Sequence, residues 1–266
     1  MSACTRRAFL AAGPVGVLGA TALASAGRAW VDVNDADTVG ADYPTTPSSR
    51  AQEFVGASHA RLERVQEMLA EDPGLAKASW DWGFGDWETA IGAASHTGRV
   101  DIIEVLIAHG ARPTLFTMAT LDQIDAVRAV LDNVPGAVAL EGPHSIPLYN
   151  HARAGEASRV MEYLESKGLT PESPFAVERS FGETYFGQYA WGPGEDERFV
   201  VDWFEKQSAV SLKRLGHVSR NLMPVGEHEF SPAGARHVRV RFDVQDGRAT
   251  RLSVPWSGTT IVGERV

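Results

Sequence analysis

The chain has 266 residues, 44% of them hydrophobic and 22% charged, with a formal net charge of −9. That balance excludes a disordered, collagen-like or rod-like protein, and nothing in it suggests a binder of phosphate backbones, which would need a basic face. The single cysteine, Cys4, lies in a leader expected to be removed, which leaves no disulfide framework, no cysteine metal site and no cysteine nucleophile.

Residues 1–26 read as a twin-arginine signal peptide. Thr5-Arg6-Arg7-Ala8-Phe9-Leu10 supplies the arginine pair, Ala11 to Ala24 a modest apolar stretch, and Ala24-Ser25-Ala26 the small residues of a cleavage site. The stretch is too short and too rich in Ala and Gly for a membrane anchor, and no other window approaches the ~20 apolar residues of a span. The expected localisation is periplasmic or secreted by the Tat pathway, with no membrane span in the mature chain. Residues 27–50 read as a flexible linker, because Val33 to Arg50 is rich in Asp, Thr, Ser and Pro.

From residue 51 to 172 helix-period patterns dominate. Leu62 to Leu69, Val100 to Ile107, Ile124 to Leu131 and Val160 to Leu164 each place apolar residues three and four apart, with charges opposite. Small-residue segments precede them: Gly56-Ala57, Ala93-Ala94, Met118-Ala119 and His151-Ala152. The equivalent positions Val65, Ile103, Val127 and Val160 are 38, 24 and 33 residues apart. Thr89-Ala90-Ile91-Gly92-Ala93-Ala94-Ser95-His96-Thr97-Gly98 and Leu106-Ile107-Ala108-His109-Gly110-Ala111 resemble the ankyrin pattern T-P-L-H-x-A-A-x-x-G and its L-L-x-x-G-A ending. Ala90 and Gly92 stand where that pattern has Pro and His. The resemblance to the ankyrin-repeat family implies an α-solenoid of about four repeats and a binding scaffold rather than a catalyst.

The unequal steps imply an enlarged finger loop before the second unit, a missing one before the third, and a notch between the two walls. The finger, Ser79 to Glu88, carries three of the seven tryptophans with three carboxylates interleaved; the far wall is Leu140 to Ile146. Loop indoles anchor a partner or a sugar, so Trp80, Asp81, Trp82, Trp87 and Glu88 are the candidate ligand-binding residues. Alternatively the rings fold back as a lid, with Asp86 or Glu88 capping the next helix. Gly83-Phe84-Gly85 lets the finger turn.

Among the histidines, His151 aligns with Ala94, where the repeat wants a small residue. Either it is buried and bonded to loop backbone, or it joins His144 and Asp86 (or Asp81) around the notch as base, acid or metal ligands. His151, His144 and Asp86 are accordingly the candidate catalytic residues. His59 and His96, near turns between helices, read as surface or inter-repeat contacts. No H-E-x-x-H, G-x-S-x-G, P-loop or Rossmann fingerprint occurs, and no cofactor or metal centre is assigned.

Beyond the Pro-rich segment ending at Pro174 the period changes to two. Arg198 to Phe204, Val210 to Leu215, His237 to Val244 and Thr250 to Val254 mostly alternate apolar with polar residues, and Gln245-Asp246-Gly247-Arg248 is a hairpin signal. Tyr185-Phe186-Gly187-Gln188-Tyr189, Leu222-Met223-Pro224 and the Phe242, Gly247, Leu252 spacing resemble the small β-domains appended to β-lactamase-like hydrolases, without the S-x-x-K nucleophile of their catalytic partner. Glu227-His228-Glu229 reads as a solvated strand end.

The expected fold class is therefore α + β in two domains: an ankyrin-type α-solenoid over 51–172, then a small antiparallel β-barrel or sandwich over 173–266. Two functions fit. The first is an exported binding protein that takes a protein, peptide or glycan partner, not nucleic acid, through the Trp/Asp-rich finger and notch. The second is a periplasmic hydrolase or lyase, acting on a carbohydrate-like substrate with His/Asp acid–base residues in the notch.

Overall fold

The computed structural model describes residues 45–169, 175–214, 217–256 and 258–266. The expected leader and residues 27–44 of the expected linker lie outside the described residues. From Thr46 to Val266 the chain forms one compact unit.

The helical layer opens with α1 (Ser48–Ala57) and α2 (Leu62–Glu71), followed by a 3-10 turn (Pro73–Lys77). A two-stranded hairpin of β1 (Ser79–Asp81) and β2 (Trp87–Thr89) comes next, then α3 (Ala90–His96) and α4 (Val100–Ala108). After α5 (Leu115–Thr120) and α6 (Ile124–Asn133), 3-10 turns at Ala137–Ala139 and Pro143–Ser145 lead into α7 (Leu148–Ala154) and α8 (Ser158–Ser166). Local chemistry sets these boundaries. The Thr89 hydroxyl accepts the Gly92 N–H at 3.0 Å and caps α3, and Thr114 with Thr117 forms a capping box on α5. Small residues let neighbouring helix ends meet: Gly98 has φ +70°, and a Cβ there would run into the carbonyl oxygen of Ala154.

The expected solenoid does not form. The described helices are short and interspersed with 3-10 turns and the hairpin, and their apolar residues gather into two separate clusters rather than one continuous stripe. One, around Phe54, Met68, Ile102 and Leu106, belongs to α1–α4; the other, around Val127, Leu148, Val160 and Leu164, belongs to α5–α8. A solenoid needs the same small rotation and rise from unit to unit. Steps of 38, 24 and 33 residues, with a β-hairpin placed in the first, do not supply it.

A short α9 (Arg179–Gly182) leads to eight strands: β3 (Gly187–Ala190), β4 (Arg198–Phe204), β5 (Ala209–Arg214), β6 (Arg220–Gly226), β7 (Glu229–Pro232), β8 (Val240–Gln245), β9 (Arg248–Trp256) and β10 (Thr259–Arg265). They close as an antiparallel barrel in the order β10-β3-β4-β5-β6-β7-β8-β9. Asp246 (φ 50°) and Gly247 (φ 75°) make the tight turn between β8 and β9. Tyr189, Leu222, Phe230, Val240, Leu252 and Val254 are fully buried in the barrel core. Eight strands enclose a space that side chains of this size fill.

Helical layer and barrel meet along the hairpin. Phe84 at its tip packs against the barrel core, the Gly234 N–H donates to Ser145 Oγ at 3.0 Å, and Arg236 grips Glu141 through both ends of its fork. Among the described residues no helix is long and apolar enough to cross a membrane.

Candidate metal centre

Strand alternation places the first ligand. In β2 Trp87 and Thr89 point outward and Glu88 inward, so a carboxylate at the base of a hairpin is completely buried. Three imidazoles converge on it. His59, just after α1, has Nδ1 at 3.1 Å from the Val55 carbonyl and 3.3 Å from that of Gly56. A proton on Nδ1 donates there and leaves the Nε2 lone pair aimed at Glu88 Oε2, 3.3 Å away. His96, the last residue of α3, brings Nε2 to 2.9 Å from Glu88 Oε1. His144, in the Pro143–Ser145 turn, brings Nε2 to 3.4 Å from the same oxygen.

The four donor atoms lie within 4.8 Å of one another. Ligands at the usual zinc distance of ~2.0–2.1 Å, arranged tetrahedrally, sit roughly 3.3 Å apart, so these separations suit a first-row divalent metal bound by nitrogen and carboxylate. Orientation points the same way. Glu88 Oε1 and His96 Nε2 are buried and close, yet neither is in hydrogen-bond geometry with any partner among the described residues. Buried polar atoms left unpaired are rare, and a shared cation would satisfy both.

The surrounding shell holds these ligands in place. Trp82 Nε1–H donates to Glu88 Oε2 at 2.7 Å. Asp86 takes the His144 backbone N–H at 3.0 Å and faces His144 Nδ1 at 2.6 Å, the carboxylate–histidine pairing typical of metal ligands. That grip holds His144 (φ 60°) and Ser145 (φ 56°) in consecutive left-handed conformations, at a cost of about 1–2 kcal/mol per residue. Arg220, at the start of β6, closes the set from the barrel. Its side chain is 8% exposed and its Nη1 lies 2.9 Å from Asp86 Oδ2.

Charge is distributed as a metal-type site requires. Burial alone would raise the Glu88 carboxyl, but the His144 and His96 imidazoles beside it outweigh burial and hold it far below the usual carboxylate range. Burial would lower His144, but Asp86 and Glu88 prevail and push it up to about 9. Burial, against the pull of Glu88 and helped by His96 and His144, lowers His59. At neutral pH a proton on His144 thus stands where a cation would, and metal binding would expel it.

His59, His96, His144 and Trp82 form one wall of a cleft of about 1200 Å³, whose other wall includes Phe204, Lys206, Ser219 and Arg220 from the barrel. Of the residues singled out in the sequence, His144, Asp86, Glu88 and Trp82 come together here. His151 is fully buried beyond His96, with ring centroids 6.2 Å apart, and neither of its nitrogens has a hydrogen-bond partner among the described residues. Burial, reinforced by His96, drives it down to about 3, so it stays neutral. Asp81 turns back on its own loop and accepts the Gly83 and Gly85 N–H groups at 2.8 and 3.1 Å. Trp80 packs against the α1–α4 core, and Trp87 is 65% exposed on the outer side of the hairpin. In the Glu227–Glu229 segment, His228 lies 2.9 Å from the Tyr185 hydroxyl and Glu229 pairs with Arg241.

His59 and His96, expected as surface or inter-repeat contacts, are instead half-buried and line the cleft. The sequence does hold a signal for them. Ala57-Ser58-His59 and Ala94-Ser95-His96 are the same tripeptide at the ends of α1 and α3. In each copy the Ser hydroxyl donates to the carbonyl four residues back. No family model matches the chain, and no curated protein matches it.

Proposed function

We propose that the protein is a metal-dependent enzyme, a hydrolase or lyase, that holds a divalent ion through His59, Glu88, His96 and His144. One observation carries this reading: four donor atoms meet within 4.8 Å, and three of the four ligands border a large cleft. Four protein ligands complete a tetrahedral set, so a water or substrate would have to join as a fifth ligand from the cleft side, an expansion that catalytic zinc sites undergo. The ion would supply Lewis acidity and activate water near neutral pH. Glu88 offsets its charge, Asp86 fixes the tautomer of His144, the Val55 and Gly56 carbonyls fix that of His59, and Trp82 holds the carboxylate. The twin-arginine pattern at residues 5–10 permits a bound metal without requiring one, because that route carries folded cargo.

The test is metal content of the full chain from its native compartment, followed by turnover of chromogenic esters, phosphate esters and glycosides. One equivalent of metal, and an activity lost on chelation and restored by zinc, are expected. Metal well below one equivalent in parent protein, unchanged in the His59→Ala/His96→Ala variant, would overturn the reading. A second reading is favoured by Trp87: the exposed indole on the outer face of the hairpin anchors a protein, peptide or glycan partner. Trp87→Ala would then abolish pull-down while metal content stays at one equivalent; unchanged pull-down contradicts it.

A further inference from the structure

The charges that reach the cleft are one-sided, the Asp86 and Glu88 carboxylates being buried behind its wall. The chain has 34 acidic residues against 25 basic ones, yet no Asp or Glu is among the described residues that line this cavity. Its charged lining consists of Arg153 from α7, Lys206 from the turn after β4, and Arg220, next to the three imidazoles. Arg153 and Lys206 are exposed, and neither has an ion-pair partner among the described residues. Arg220 is different in kind. It is more than nine-tenths buried, one arm of its fork is taken by Asp86, and its Nε and Nη2 have no hydrogen-bond partner among the described residues.

A buried guanidinium with three of its five N–H donors unused is costly, and it is common where a ligand completes the set. The planar fork matches a carboxylate or a phosphate, and two further cations from opposite walls leave the cleft electropositive in an acidic protein. We infer that the cleft takes a small organic oxyanion, with Arg220, Arg153 and Lys206 holding its charged group. The position of its reacting bond beside His59, His96 and His144 rests on the metal-enzyme reading; the anion preference rests on the lining charges.

The experiment is calorimetric titration of the full chain, zinc-loaded and zinc-free, at constant ionic strength. Succinate is the probe in one arm, inorganic phosphate in the other, and succinamide is the uncharged control. At least one anion is expected to bind saturably while succinamide does not, and the tighter of the two identifies carboxylate or phosphate as the group recognised. Arg153→Gln and Lys206→Gln, at exposed positions, should each weaken binding about fivefold. Arg220→Lys, which keeps the charge but loses the fork, should weaken it about tenfold. Absence of saturable binding by either anion, or equal affinity in the Arg153→Gln/Lys206→Gln variant, overturns the inference. Zinc bound at one equivalent without anion binding defeats this inference alone, and anion binding without zinc defeats the metal reading alone.

Discussion

Tyr189, Phe230, Leu222 and Leu252 occupy the inside of the barrel, whereas imidazoles, a guanidinium and amides line the cleft beside it. The two spaces are built from opposite materials. Alternating strands send one apolar side chain in every two to the barrel interior, and eight strands leave no room once those side chains are aromatic or branched. The cleft is bordered by element ends: the turn after α1, the last residue of α3, a 3-10 turn and the first residue of β6. Ends and turns carry polar residues in special conformations, such as His144 at φ 60°. Chemistry in this molecule sits where elements stop, and stability sits where they run.

That contrast can be broken at its two centres, where the largest effects are expected. Phe230→Ala should cost about 3–5 kcal/mol in denaturant unfolding and leave zinc stoichiometry at parent level. Asp86→Ala should cost a similar ~3–5 kcal/mol, because it strands the buried Arg220 and releases His144, and it should also lower zinc affinity. If Phe230→Ala instead abolished zinc binding, the two regions would not be separable.

His151 sharpens the comparison through pH. Its folded pKa of about 3 lies below the ordinary 6.5, so as the pH falls the unfolded chain takes up this proton first. The contribution is present above pH 6.5 and is lost progressively down to about pH 3, with a slope of up to about 1.4 kcal/mol per pH unit. His151→Leu should flatten that part of the stability–pH profile relative to the parent, and a superimposable profile would contradict the assignment.

Smaller effects follow at the hairpin. Trp82→Phe removes the N–H that Glu88 accepts, for a loss of about 1.5–3 kcal/mol without metal and a 10–100-fold loss of zinc affinity, read by competition with a chromogenic chelator. Trp87→Ala, on the opposite face, should change stability by no more than about 0.5 kcal/mol and leave zinc affinity unchanged.

Local patterns in the sequence were readable and long-range arrangement was not. The periodic segments at Leu62, Val100, Ile124 and Val160 lie in α2, α4, α6 and α8, because a 3.6-residue period is a local property. The stack they were expected to build depended on equal spacing, which the hairpin and 3-10 turns destroy. His144 and Asp86 stood out as titratable groups in loops, and they pair. Glu88 reads in the sequence as a ligand-binding or helix-capping carboxylate of the finger loop, since three-residue strands are too short to show alternation. His59 and His96, each near a turn between helices, read singly as surface or inter-repeat contacts, although their shared Ala-Ser-His context marks them as equivalent. A lone arginine opening a strand, such as Arg220, carries no sequence signal; only closure of the barrel against the helical layer brings it to Asp86.

The most direct test of the metal centre is zinc-edge X-ray absorption on the full chain loaded with one equivalent of the ion. The expected spectrum has a first shell of nitrogen and oxygen at ~2.0–2.1 Å with outer-shell scattering from three imidazoles, reduced to two in His96→Ala. A spectrum with no imidazole scattering, or one that His96→Ala leaves unchanged, would contradict it.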